Sequence, residues 1–111
     1  MLRHVPDAAR ALAEAQERGA LVYLIGPVTS RPEALEAIGT ALGFPAWYGR
    51  NLDALHDCLT DLSWLPAGEH VLIWSGHREL ELADPDGHRA VLAVLDDATA
   101  ASSLSVLLAD A

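Results

Sequence analysis

Two hydrophobic patterns alternate along the chain. "ALVYLIGPV" from Ala20, "HVLIWS" from His70 and "SLSVLLAD" from Ser103 are short apolar runs without alternation. Such runs read as strands buried on both faces of a parallel sheet. Between them, apolar residues recur three and four apart. "TSRPEALEAIGTALG" reads as a helix: Ser30 is its N-cap, Pro32 sits in its first turn and Glu33 completes a capping box. Leu35, Ile38 and Leu42 form its apolar face and Gly43 ends it. "FPAWYGRN" is a loop whose Asn51 caps a helix from Leu52 to Leu62. "GHRELELADPDG" is short and irregular or helical, and "HRAVLAVLDDATAA" is a helix with Val91, Leu92, Val94 and Leu95 inward.

Ahead of the first run, residues 7–18 read as an Ala-rich helix opened by Pro6 and Asp7 and closed by Gly19. Its apolar face, Ala8, Leu12 and Ala15, is thin, so it reads as an appended helix. The expected fold is α/β: a single domain with a three-stranded parallel sheet, helices packed on it, and an extra N-terminal helix. The expected division is an extension at 1–19 and a domain at 20–111.

Composition narrows the class. The chain has 111 residues, 51% of them hydrophobic, and no apolar run of the length a bilayer requires. Asp7, Glu14 and Glu17 interrupt any signal-peptide core, and Cys58 is the single cysteine, so no internal disulfide forms. Both features point to the cytoplasm. The net charge is −9, from 16 acids against 7 bases, all arginine. Nucleic acid and anionic membrane are poor partners for such a chain, and a basic protein is a fitting one. Solubility alone also accounts for an acidic balance.

The helix after Asn51 carries the charge in an unusual way. At about 100° per residue, Asp53, His56, Asp57, Thr60 and Asp61 share one arc, and Leu52, Ala54, Leu55, Cys58, Leu59 and Leu62 fill the other. Asp53, Asp57 and Asp61 are each four residues apart, and like charges at that spacing cost about 0.2–0.5 kcal/mol per pair. Only Arg50 stands nearby, before the helix.

"YGRNLDALHDCLTDL", preceded by "LGFPAW", resembles the barstar family of intracellular ribonuclease inhibitors. The likeness runs through Tyr48, Gly49, Asn51, Leu52, Asp53, Ala54, Leu55, Asp57, Cys58, Leu59 and Thr60 in order, and "VLIW" and "VLAVLDDA" resemble the family's middle strand and last helix. The resemblance implies a three-stranded parallel sheet, and a helix and preceding loop that cover a ribonuclease active site. It implies that Asp57 is the central carboxylate, entering the enzyme's phosphate pocket, with Asp53 one turn earlier and Thr60 flanking. Trp47 stands where the family has a loop aromatic, and Asp97 where the last helix carries a second acid, often Glu. Gly49 and Asn51 shape the loop and cap. His56 departs from the family pattern, standing where a member has Trp. With Val94 on the last helix, these nine residues are the candidate partner-binding set. The implied partner is a basic ribonuclease or nuclease toxin bound one to one. The alternative is a domain of this fold that regulates or binds a non-ribonuclease partner.

Enzymatic readings are weaker. His56 with Asp53 or Asp57 could act as a base and its orienter, but no Ser or Cys nucleophile shares their face. His70, His77 and His88 lack metal-ligand spacing, and "GHRELELADPDGH" is not a calcium loop. No catalytic residue, metal or cofactor is expected.

Overall fold

In the computed structural model, which describes residues 2–100 and 102–110, the chain runs β1 (Leu2–Val5), α1 (Ala8–Glu17), β2 (Leu21–Ile25), α2 (Arg31–Leu42), α3 (Leu52–Asp61), β3 (His70–Ser75), α4 (Arg78–Ala83), α5 (Pro85–Thr99) and β4 (Leu104–Ala109). The strands form a parallel sheet in the order β1-β4-β3-β2. The expectation of three strands is therefore corrected to four. β1 escapes a periodicity reading because it is four residues long and presents Arg3 and His4 to solvent. It lies at the sheet's edge, where half-polar strands are tolerated.

The register sorts the side chains onto two faces, since neighbours along a strand point opposite ways. Leu72, Trp74, Leu104, Val106 and Leu108 join the larger core with Ile25 and the buried faces of α2, α3, α4 and α5. Val71, Ile73, Leu107 and Ala109 point the other way and meet Ala11 and Ala15 of α1. Handedness explains the split. The path β2 to β3 to β4 crosses the sheet in one direction, while β1 to β2 crosses it in reverse. Right-handed crossovers then place α1 on the opposite face from the other helices. α1 has a close seat on that face: Ala15 is fully buried, and its small side chain lets the helix lie close to the sheet.

The ends of the helices follow the expected chemistry. Ser30 Oγ accepts from Glu33 N at 3.3 Å, and α2 closes at Gly43 in a left-handed conformation (φ 65°). α5 begins three residues earlier than the apolar pattern suggests. Asp84 caps it by accepting from Gly87 N at 3.0 Å, and Pro85 fills its first turn. A side chain at Gly87 would collide with that capping carboxylate.

Two histidine arrangements tie the layers. His70 lies between Tyr23 and the Pro66 carbonyl: its Nε2 donates to Pro66 O at 2.8 Å, which leaves Nδ1 to accept from the Tyr23 hydroxyl at 3.0 Å. His77 and His88 are buried and stacked, with Nδ1 of the first 3.0 Å from Nε2 of the second. His4 of β1 packs edge-on against His77, and Asp110, just past β4, stands 3.7 Å from His77 Nε2. Burial is the main cause holding both buried imidazoles below their ordinary range. His4 and Arg78 add to it, Asp110 opposes it at His77, and Glu81 opposes it at His88.

Candidate functional site

α3 stands where it does because its apolar arc is complete. Leu55, Cys58 and Leu59 are fully buried in the core. Asn51 Oδ1 accepts from Ala54 N at 2.8 Å and fixes the helix start. The helix ends at Leu62, which takes up a left-handed conformation (φ 48°). Asp53, Asp57, Thr60 and Asp61 are left in solvent. Eight residues of helix span about 12 Å, so the three carboxylates form a row of that length. None of the three makes an ion pair among the described residues. Asp61 only accepts a bond from the Ser63 hydroxyl at 3.2 Å.

The loop before α3 is held by its aromatic residues. Phe44 packs edge-on against Tyr48 and Trp64, with ring centroids 4.8 and 5.7 Å away. The Tyr48 hydroxyl donates to Leu35 O at 3.1 Å, and Trp64 Nε1 to Leu42 O at 3.0 Å. Gly39 makes room for this packing, because a Cβ there would stand 2.8 Å from the Tyr48 ring. Burial pushes the Tyr48 phenol up to about 12. With the loop pinned from beneath, Trp47 is left 65% exposed. Gly49 leaves space for the Asn51 cap, and Arg50 adopts a left-handed backbone (φ 54°), which an L-residue reaches at a cost of about 1–2 kcal/mol.

α5 adds a second edge. His56 is half-buried and turns from the row toward Asp97, with Nε2 2.9 Å from Oδ2. Asp97 is therefore already engaged within the chain. Thr60 is engaged too, its hydroxyl donating to the carbonyls of Asp57 and His56 at 3.0 and 3.1 Å. Val94 is half-buried and packs against the core, presenting only part of itself. The structure thus gathers Asp53, His56, Asp57 and Thr60 on one helix, places Trp47, Gly49 and Asn51 in the loop leading to it, and links Asp97 through His56. Sequence reading missed the cross-helix bridge, because nothing in the pattern joins positions 56 and 97.

Reactive chemistry finds little purchase here. Cys58 is buried, and its thiol is raised first by burial and then by Asp57 and Asp61. Among the described residues no group of three or more His, Cys, Asp or Glu is placed to hold a metal ion. No helix among them is long and apolar enough to cross a membrane.

The family model described as Barstar (barnase inhibitor) matches residues 21–107. The chain belongs to the barstar family. Members of this family are inhibitors and not enzymes, and the chain is a protein-interaction module of that kind. The match starts at the first residue of β2 and ends within β4, so β1 and α1 lie outside the barstar-family region. No curated protein matches the chain.

Proposed function

We propose that the chain inhibits a basic ribonuclease or nuclease toxin in the cytoplasm, one to one, by laying α3 and the preceding loop over the active site. The observation that carries this reading is the row Asp53, Asp57 and Asp61: exposed, without ion pairs among the described residues, one helical turn apart, and led into by a loop with an exposed Trp47. A nuclease must be cationic where it grips phosphate. Carboxylates at regular spacing offer such a surface what a phosphodiester chain would offer, and long-range attraction speeds their encounter. Family membership supports an inhibitor, and the net charge of −9 supports a basic target. Asp57, in the middle of the row, is the proposed anchor. Asp53, Trp47, His56, Thr60, Asp97 and Val94 make up its surroundings, with Gly49 and Asn51 shaping the approach.

The test is capture of nucleases by the immobilised protein, followed by RNA cleavage with and without it. The expected result is a basic ribonuclease, bound at unit stoichiometry and silenced by wild type but not by Asp57→Ala. Capture of a protein without nuclease activity, through the same Asp57-dependent surface, would instead make the chain a binding module for another partner.

A further inference from the structure

Four of the seven arginines are paired: Arg10 with Glu14, Arg18 with Glu69, Arg78 with Glu81 and Asp110, and Arg89 with Asp86. Among the described residues Arg3, Arg31 and Arg50 make no ion pair. In a chain with 16 acidic residues that is unexpected, and two of these three arginines line the same groove. The groove, of about 420 Å³, runs between the starts of α2 and α3. Pro32, Leu35 and Leu52 give it apolar lining, Arg31 and Arg50 line it as well, and Asp53 joins it to the acidic row. Both arginines are exposed. Arg50 occupies its position at the expense of a left-handed backbone, immediately before the cap of α3.

We infer that this groove is a second, oppositely charged half of the interaction surface and takes a carboxylate side chain of the partner protein. Two guanidinium groups over apolar lining suit a carboxylate on an aliphatic stem, because guanidinium is built to bind planar anions and its stem tolerates apolar neighbours. The surface is then bipolar: a row of acids for the partner's cations, and beside Asp53 a cationic groove for one of its acids. A bipolar surface fixes register. A partner with basic groups alone would meet two repelling arginines at one end, and complementary charge patterns of this kind discriminate between partners. The inference rests on the proposed inhibitory reading for the identity of the surface, but the groove's chemistry can be tested without it.

Two measurements decide the matter. The first uses barnase, the ribonuclease named in the family's description, as the probe, with titrations of wild type, Arg50→Glu, Arg31→Glu and Asp57→Ala. If charge acts only at long range, either Arg→Glu change adds negative charge and tightens binding to a basic nuclease. If the groove takes a carboxylate, each reversal weakens binding, by roughly tenfold. Weakening supports the inference, and unchanged or tighter binding overturns it. Asp57→Ala reports separately on the inhibitory reading, since it alone addresses the row. The second measurement needs no nuclease. Arginine Nε–H resonances are followed by NMR while N-acetylglutamate amide is added, against sodium chloride of equal ionic strength. Saturable shifts confined to Arg31 and Arg50, lost at Arg31 when Arg50 is changed to Gln, are the expected result. Shifts shared by all seven arginines, or saturation by inorganic phosphate but not by the carboxylate, would overturn the inference.

Discussion

His56 on α3 and Asp97 on α5 are joined by a contact of 2.9 Å between Nε2 and Oδ2, bridging the two helices that carry the candidate surface. The bridge is partly open to solvent, with the two side chains 41% and 78% exposed. Its contribution to stability is accordingly small, about 0.5 kcal/mol. A double-mutant cycle with His56→Ala and Asp97→Ala, read by urea unfolding, should return a coupling of that size. The same cycle read by partner binding should return a larger one, because the bridge fixes where Asp97 stands. Equal coupling in both would mean that the bridge serves the fold alone.

Asp57 and Asp61 should behave differently in binding despite their similar exposure. Asp57 is central in the row and Asp61 is at its end, where Ser63 already donates to it. Asp57→Ala should weaken nuclease binding by at least about a hundredfold, since it leaves buried cations unpaired. Asp61→Ala should weaken it about fivefold or less, mainly through association rate, with the effect fading at high salt. Calorimetric titration at two salt concentrations separates the two. Equal small losses would describe a diffuse acidic surface without an anchor.

The buried pair His77 and His88 should make stability depend on pH. Both imidazoles titrate below the ordinary value of 6.5 in the folded protein. The unfolded chain therefore takes up protons first as the pH falls. Stability should be full above about pH 6.5 and should decline beneath it, toward the depressed folded values. Urea unfolding between pH 7.5 and 5 measures the slope. A His77→Leu/His88→Leu double variant should show a flatter profile in that window. Parallel profiles would assign the acid sensitivity to other groups.

The N-terminal segment offers a third kind of test. Removing residues 1–19 strips the cover from Val71, Ile73, Leu107 and Ala109 and frees the edge of β4. Cooperative thermal unfolding should be lost, and a dye that reports exposed apolar surface should bind. A cooperative melt in the truncated protein would establish residues 1–19 as a separable extension. In the full chain, Ala15→Leu should cost about 1–3 kcal/mol, because a fully buried alanine between helix and sheet has no room for a larger side chain.

Some of this architecture can be read from the sequence, and the rest has physical reasons for being hidden. β2, β3 and β4 show as apolar runs, and Ser30 and Asn51 announce their helices, because each signal is local. α3 declares its two arcs through the helical period alone. β1 is masked by Arg3 and His4, and its pairing with β4 is a matter of topology that no window of sequence contains. The closeness of α1 to the sheet is hidden for a different reason. Its alanines look too small for a core face, yet smallness is what close helix–sheet contact requires. The His56–Asp97 bridge and the groove between Arg31 and Arg50 join residues that only packing brings together.

The pairing of β1 with β4 sets Leu2 opposite Val106, and Val5 opposite Ala109. In chain order β1 precedes the other three strands of the sheet, and its one partner among them, β4, follows them all. β2 and β3 can pair earlier, under α2, while Val71 and Ile73 wait for their full cover. Long-range pairing of this kind is slow and leaves apolar surface open in the interval. α3 also waits, because the helix it packs against, α5, follows β3 in the chain, so the sheet and its helical layer are expected to close together once β4 pairs with β1 and β3.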